Sequence, residues 1–193
     1  MKLFALLLAG LLPACAANQA VAKGQGFGNP SAPILIELYS DFECPACRAF
    51  HSDLLPLLMR DFISTGKVYL IAHDLSFHDH SAESTAYAFA AARIGKYTEV
   101  ADALFQHQME WAQSGKVWDV VAAVLTPADQ KKVAALAKDP GILAEVKTET
   151  DDGRLKIQQT PTIIVVHSMR QYRFVGSPNW DLLRGFLNDL LNK

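Results

Sequence analysis

Residues 34–51 read ILIELYSDFECPACRAFH and combine an apolar run, a short polar turn and two cysteines. The run Ile34–Tyr39 is apolar and aromatic over the length of a strand, which is typical of a buried strand. Residues 40–43 are expected to form a turn. A helix is expected to begin at Cys44, because Pro45 suits the first helical position, where its fixed φ continues into the helix. Both cysteines are therefore predicted on the first turn of a helix that follows a buried strand.

The motif Cys44-Pro45-Ala46-Cys47 predicts a redox-active dithiol. Cys44 is expected at the helix N-terminus, where unpaired backbone N–H groups and the helix dipole stabilise a thiolate. The thiolate is the attacking species, and Cys47 then resolves the mixed disulfide. Pro45 removes no donor that the helix needs, and Ala46 adds neither a charge nor a donor. The alternatives are a structural disulfide or an inert pair, but a staple between residues three apart constrains little unfolded chain.

Strand patterns recur on both sides of a long helical stretch. Apolar and β-branched runs predict strands at 68–72, 162–167 and 171–175, the last two joined by a tight turn as a hairpin. Pro56 predicts a kink in the first helix. The segment 21–33, rich in Gly, Asn and Pro, is expected to be an extended lead-in.

Helical patterns fill the region between the second and third strands. Apolar spacing, Gly95 as a C-cap and two Pro-containing start signals define these helices. We expect them at 81–93, 97–112, 117–125, from Thr126-Pro127 onward, and from Asp139-Pro140 toward Asp152 with Gly153 closing the last one. A final amphipathic helix is expected to open at Ser177-Pro178.

The segment 39–51 resembles the active-site segment of exported DsbA-like thiol–disulfide oxidoreductases, in particular the branch with a D-F-x-C-P-x-C sequence. Gln159-Thr160-Pro161-Thr162 resembles the second landmark of that family, a cis-proline loop that leads into a strand. The resemblance implies an α/β, thioredoxin-like fold with a central mixed sheet and an inserted all-helical subdomain. We expect the domain over 34–193 and the insertion over 79–153.

The resemblance also implies roles for three further residues. Pro161 is expected to follow a cis peptide bond, and the backbone of Thr160 to pair with an extended substrate peptide as an added strand. An ordinary trans proline is the alternative. Glu37, an acid within an apolar strand, is expected to have a raised pKa and to pass protons to or from Cys47. An outward-facing Glu37 is the alternative, and the lysine that relatives carry on the next strand is missing from residues 71–73.

The N-terminus predicts export. Lys2 is followed by a short apolar run that ends at Pro13, and Ala14-Cys15-Ala16 supplies an A-x-A cleavage pattern. These features predict a signal peptide over residues 1–16, cleaved near Ala16 or Ala17, and a periplasmic or other extracytoplasmic location. Acylation of Cys15 as a lipoprotein anchor is the alternative.

Composition narrows the classes of function. The chain has 193 residues with a formal net charge of −2 and a pI near 6.3, which makes nucleic acid an unfavoured partner. A hydrophobic fraction of 50% excludes intrinsic disorder. Cys44, Cys47 and His51, with His78 or His80 as a fourth ligand, fit a zinc- or copper-binding chaperone as an alternative.

We therefore expect a protein thiol–disulfide oxidoreductase that needs no cofactor and no metal. A dithiol oxidase acting on unfolded or reduced secreted polypeptides is favoured, with a membrane redox partner that resets the cysteine pair. A reductase or isomerase of the same fold is the alternative within this class, although we expect no dimerisation domain ahead of Ile34, which weighs against a dimeric isomerase. A binding module with an inert disulfide is the alternative outside it.

Overall fold

The computed structural model describes residues 24–193, so the predicted signal peptide and Cys15 lie outside the described residues. A five-stranded sheet with the strand order β1-β3-β2-β4-β5 forms the centre of the described chain. β2 and β3 are parallel, whereas the other three pairings are antiparallel. The strands are β1 (Gln25–Phe27), β2 (Ile34–Ser40), β3 (Val68–Asp74), β4 (Thr162–His167) and β5 (Arg170–Val175).

Nine helices pack around this sheet in the described chain. The segment before β3 holds α1 (Pro45–Ala49) and α2 (Leu55–Leu58), the insertion holds α3 to α8, and α9 ends the fold. The remaining bounds are α3 (Ser81–Ala92), α4 (Tyr97–Gln106), α5 (Gln108–Ser114), α6 (Val117–Ala123), α7 (Pro127–Leu136), α8 (Pro140–Lys156) and α9 (Trp180–Leu191). The predicted thioredoxin-like fold with a mixed sheet and a helical insertion is confirmed.

The two faces of the sheet pack against different helices. Ile36 and Leu38 of β2 face a core that includes Phe50 and residues of α2 and α9. The alternate residue Tyr39 faces a smaller cluster with Ile157, at the end of α8. Because successive side chains of a strand point to opposite faces, these contacts define an α1 face and an α8 face of the sheet.

At the predicted kink around Pro56, the helix contains two π-helical turns. The turn Phe50–Leu54 precedes α2 and the turn Met59–Ile63 follows it. A proline inside a helix lacks the N–H donor and its ring crowds the carbonyl four residues earlier, so the preceding turn widens. The helical path nevertheless continues to Ile63.

Two predicted helix limits in the insertion are wrong. The expected helix 97–112 is divided at His107, and the Leu104 carbonyl there accepts a hydrogen bond from Trp111 Nε1 at 2.7 Å. α8 runs through Gly153 to Lys156 instead of ending at the glycine. A Cβ atom at Gly153 would lie 2.6 Å from Cδ2 of the buried Leu75, so a larger residue there would force the Leu75 side chain to move.

Smaller differences occur at the ends of the domain. The expected lead-in contains an edge strand, because Gln25–Phe27 pairs with β3. The last helix begins at Trp180, two residues after the expected proline, since the Asn179 side chain caps the backbone N–H groups of Asp181 and Leu182. The β4–β5 hairpin turns through Ser168 and Met169, both with positive φ, as two-residue hairpins require. None of the described helices is long and apolar enough to cross a membrane.

Candidate active site

The cysteine pair lies where the sheet meets the helical insertion. Cys44 is the N-cap residue of α1, with φ −76° and ψ 120°, and Pro45 occupies the first helical turn. Both thiols are free, and they join the hydrophobic cluster of the insertion. Cys44 is 7% exposed whereas Cys47 is 1% exposed, so Cys44 is the sulfur that a partner can reach first.

The two thiols have opposite acidities. A hydrogen bond from the Cys47 thiol is the largest of the effects that lower the pKa of Cys44 to about 5, and it outweighs the opposing effect of burial. The backbone N–H groups of Cys47 and Ala46 add to it. Burial, followed by the contact with Cys44, raises the pKa of Cys47 well above its usual range. At neutral pH the pair therefore holds one thiolate on Cys44 and one proton on Cys47.

The loop before β4 faces Cys44. The Thr160–Pro161 peptide bond is cis, as predicted. The Cys44 Sγ lies 3.4 Å from the Thr160 carbonyl oxygen, to which the protonated thiol donates. The Thr162 hydroxyl donates to the Gln159 carbonyl at 2.7 Å, which closes the loop locally. The structure thus places the Thr160–Pro161 loop against Cys44, the arrangement that the family resemblance implied.

The predicted role of Glu37 is corrected, because Glu37 lies away from the cysteines. Its carboxylate is 3.2 Å from Lys156 Nζ and 3.4 Å from His73 Nε2, on the α8 face of the sheet. The contact with His73 is the largest cause that lowers the pKa of Glu37 to about 2, and Lys156 adds to it despite the opposing burial. The predicted raised pKa is therefore wrong. β3 carries no lysine beside Glu37, and Lys156 of α8 in part takes that place as the cation next to its carboxylate.

The buried acid on the cysteine side of the sheet is Asp74. Asp74 pairs with Ser40 in the parallel register of β2 and β3. Both residues line a cavity of about 230 Å³ that Cys47 also lines. Tyr97 of α4 donates a hydrogen bond of 2.6 Å to the Asp74 carboxyl, and burial raises the pKa of Asp74 to about 7. Sequence reasoning missed this residue, although an acid that ends an apolar strand was a usable signal.

Gln108 holds the active-site turn to the insertion. Its side-chain amide, buried in α5, donates to the carbonyls of Phe42 at 2.7 Å and Cys44 at 2.9 Å. The turn that precedes α1 therefore depends on a residue about 60 positions later in the chain. No local pattern in the sequence identifies this contact, because a glutamine on a helix is ordinarily a surface residue.

Asp41 fixes the same turn from the other side. Its carboxylate is fully buried and accepts from the backbone N–H groups of Glu43 at 2.8 Å and Phe77 at 2.7 Å. The Ser81 hydroxyl donates to it at 2.6 Å, and His78 Nδ1 lies 2.9 Å away. Asp41 therefore locks the loop after β2 to the start of the insertion.

The alternative metal site is not assembled. No group of three or more His, Cys, Asp or Glu residues within residues 24–193 is arranged to hold a metal ion. His51 instead places Nε2 2.9 Å from Asp102 Oδ1 and stacks on Phe105 with 4.5 Å between ring centroids. His78 Nδ1 lies 2.9 Å from Asp41, so His51 and His78 both contact carboxylates of the protein.

A thioredoxin-like fold that places a thiolate nearer the surface than its partner thiol, beside a cis-proline loop, defines the class of thiol–disulfide oxidoreductases. A model of the family described as thioredoxin matches residues 21–189. The protein therefore belongs to the thioredoxin family.

Relatives and solved structures agree with this class. Disulfide bond formation protein D of Bacillus subtilis is 28% identical over 159 residues, which cover 77% of this chain and 70% of that protein. Probable disulfide bond formation protein D of Bacillus anthracis is 26% identical over 90% of this chain and 81% of its own.

The fold itself is that of the DsbA proteins. The crystal structure of alpha-DsbA1 from Wolbachia pipientis matches with a TM-score of 0.73 at 17% identity, covering 88% of this chain and 92% of that one. The crystal structure of oxidised BdbD from Bacillus subtilis matches with a TM-score of 0.72 at 22% identity, covering 87% and 92%.

Proposed function

We propose that this protein is an exported dithiol oxidase that transfers its Cys44–Cys47 disulfide to reduced polypeptides outside the cytoplasm. The observation that carries the proposal is the lowered pKa of Cys44, about 5, beside the buried Cys47. Stabilising the thiolate stabilises the reduced dithiol relative to the disulfide, which makes the disulfide a stronger oxidant. The relatives named disulfide bond formation proteins support the same direction of electron flow.

The reaction begins on the oxidised pair. A substrate thiolate attacks the Cys44 sulfur, the Cys44–Cys47 bond breaks, and Cys47 leaves with the electron pair and takes up a proton. A second substrate thiolate then attacks the substrate sulfur of the mixed disulfide, which forms the substrate disulfide and releases the Cys44 thiolate. Two electrons pass from the substrate to the protein. Asp74, in the same cavity as Cys47 and with a pKa of about 7, is positioned to supply the proton in this direction and accept it in reverse.

The cis-proline loop supplies the binding edge for the polypeptide. The Thr160 carbonyl lies 3.4 Å from Cys44 Sγ, so a chain joined to Cys44 passes alongside this backbone. Main-chain hydrogen bonds of an added strand give affinity without requiring a particular sequence. That property suits an oxidase that acts on many unfolded chains.

Export and re-oxidation complete the proposal. The leader over residues 1–16 favours delivery to an oxidising compartment, where disulfides persist. Each turnover leaves the pair reduced, so a membrane redox partner must withdraw two electrons to restore the Cys44–Cys47 disulfide.

The decisive experiment is the reduction potential of the Cys44–Cys47 couple against glutathione, with the chain expressed from Ala17 so that Cys15 is absent. A value near roughly −120 mV, that of DsbA, is expected for an oxidase. A value near roughly −270 mV, that of thioredoxin, indicates a reductase and contradicts the proposed direction. A couple that does not equilibrate at all contradicts the oxidoreductase proposal.

A further inference from the structure

A second pocket lies beside the cis-proline loop, outside the cysteine cavity. It has a volume of about 230 Å³ and is bounded by the end of α8 at 154–157, by Gln158 and Gln159, and by Arg173 and Val175 of β5. Among the described residues that line it there is no aspartate or glutamate, whereas three are cations. We call it the cationic pocket.

Arg173 is the cation of this pocket that has no acidic partner in the described chain. Its Nη1 donates to the Lys156 carbonyl at 2.7 Å, which fixes the guanidinium in place. Within residues 24–193, no carboxylate lies within 4.0 Å of Arg173. Lys156, by contrast, is paired with Glu37 at 3.2 Å. Arg154 has Asp151 at 3.9 Å and lies over the Phe77 ring.

The pocket adjoins the cis-proline loop, to which the proposed function assigns the binding of the polypeptide. Gln158 and Gln159, which bound the pocket, directly precede Thr160, whose carbonyl faces Cys44. An extended chain rises about 3.3 Å per residue, so a substrate strand that pairs along 158–160 brings a side chain two or three residues from its cysteine to the pocket. Leu155, 88% exposed, and Val175, 58% exposed, flank the cations and can contact the aliphatic part of that side chain.

We infer that the cationic pocket binds an acidic side chain of the substrate polypeptide, two or three residues from the reactive cysteine, with Arg173 as its principal ligand. A guanidinium already held by one N–H keeps further N–H groups that can bind a carboxylate. The inference rests on the proposed function and adds a substrate preference to it: polypeptides with Asp or Glu beside the cysteine are oxidised faster.

The test compares dithiol peptides that differ only in charge near one cysteine. Asp, Asn or Lys is placed two or three residues before or after that cysteine, at one position in each peptide, and the second-order rate constant for oxidation by the oxidised protein is measured. Each rate is divided by the rate of the same peptide with an uncharged disulfide, bis(2-hydroxyethyl) disulfide, which removes the effect of the charge on the thiol itself. The Asp peptide on one side is expected to react roughly two- to fivefold faster than its Asn counterpart, the range of an exposed charge pair. Raising the ionic strength should reduce this ratio toward one.

Variants of the protein test whether the preference for acidic peptides depends on the cationic pocket. Arg173→Gln keeps an amide donor for the Lys156 carbonyl and should abolish the preference, whereas Arg173→Glu should favour the Lys peptide. Arg170→Gln removes a charge from the same strand outside the pocket and should leave the preference intact. Thermal unfolding checks that each variant is folded. Equal rates for all charges with the unaltered protein overturn the pocket but leave the oxidase standing, whereas failure to oxidise any peptide overturns the proposed function.

Discussion

Glu37 and Cys47 lie on opposite faces of the central sheet. The two β2 residues Leu38 and Ser40 line the cavity of Cys47, and Glu37, between Ile36 and Leu38, turns instead to Lys156. A direct proton transfer between Glu37 and Cys47 is therefore excluded by strand geometry. Two acids line the cavity with Cys47, and Asp74 is the buried one, whereas Asp102 is half-exposed and paired with His51.

Replacing Asp74 is expected to slow the steps in which Cys47 gains or loses a proton. Asp74→Asn keeps the size of the side chain and removes its acid–base function, which contributes about a hundredfold or more where a general acid or base takes part. The measurement is the rate of release of a glutathione mixed disulfide on Cys44 as a function of pH. The inflection near pH 7 should disappear, since burial raises the pKa of Asp74 to about 7.

Glu37→Gln is the matched control. It should lower the free energy of unfolding, because it removes the partner of Lys156 and His73, and leave the release rate within about twofold. If the Glu37 variant slows release and the Asp74 variant does not, the assignment of the two acids is wrong.

The reactivity of Cys44 should report its low pKa. The rate of alkylation by iodoacetamide is expected to rise with a midpoint near pH 5, because the pKa of Cys44 is lowered to about 5. Cys47→Ala removes the donor that lowers it most, so the midpoint should move upward by at least one unit. An unchanged midpoint in this variant contradicts the hydrogen bond from Cys47 as the main cause.

The same thiolate should make the reduced form more stable than the oxidised form. A lowered folded pKa contributes stability that is fully present above the unfolded pKa of about 8.5 and lost as pH falls through about 5. The difference between the Tm of the reduced protein and the Tm of the oxidised protein should therefore increase from pH 5 to pH 8. A constant or decreasing excess contradicts this linkage.

Gln108→Leu should change both stability and the active site. The variant leaves the Phe42 carbonyl buried without its donor and removes one donor from Cys44, which costs about 1–3 kcal/mol of unfolding free energy. Release of the turn should also shift the alkylation midpoint of Cys44. Gln130→Leu is the control, since Gln130 donates to the carbonyls of Ala122 and Leu125 in the same way but far along the insertion. It should lower stability without shifting the midpoint.

His73 links β3 to α8 as a buried cation. Burial opposes its protonation, but the hydrogen bond with Glu149 and the nearby carboxylate of Glu37 outweigh burial and raise the pKa of His73 to about 9. His73→Leu leaves the buried Glu149 unpaired and should lower the free energy of unfolding by about 3 kcal/mol. The double variant with Glu149→Leu should recover much of this loss.

The sign of the pH dependence follows from the raised pKa. The His73 contribution is fully present below the unfolded pKa of about 6.5 and is lost as pH rises through about 9. The difference in unfolding free energy between the unaltered protein and the double variant should therefore shrink from pH 6.5 to pH 9. A difference that widens over this range excludes the ion pair as its source.

Gly153→Ala should destabilise the protein although alanine favours helices. The added Cβ would lie 2.6 Å from Leu75 Cδ2, and overpacking of a core costs about 1–3 kcal/mol. Gly185→Ala in α9 is the control, because nothing lies within 4 Å of its added Cβ. That variant should gain roughly 0.5–1 kcal/mol. Equal changes in chemical denaturation would show that Gly153 is not constrained by packing.

Local sequence patterns predicted those parts of the structure that local interactions decide. The apolar run at 34–39 and Pro45 predicted β2, the start of α1 and the position of Cys44 at the N-terminus of that helix. The cis bond at Pro161 was predicted only through resemblance, since the preference of the peptide bond itself is for trans.

Long-range contacts account for what was missed. Strand parity alone could not tell which face of β2 is the cysteine face, so Glu37 was assigned the role for which Asp74 is placed. A glycine is typical of a helix end, and only the close approach of Leu75 explains why Gly153 lies inside α8. Gln108 contacts the active-site turn across 64 residues of sequence, a distance that no periodicity reveals.

The two hydrogen bonds from Gln108 mean that the insertion is not a modular accessory. An excision that joined β3 directly to β4 would retain every strand of the sheet and both cysteines. It would also strip the donor from the Phe42 carbonyl and remove the apolar wall against which both sulfurs pack. Shortening this protein toward a minimal thioredoxin would therefore keep the sheet but remove the contacts that surround the Cys44 thiolate.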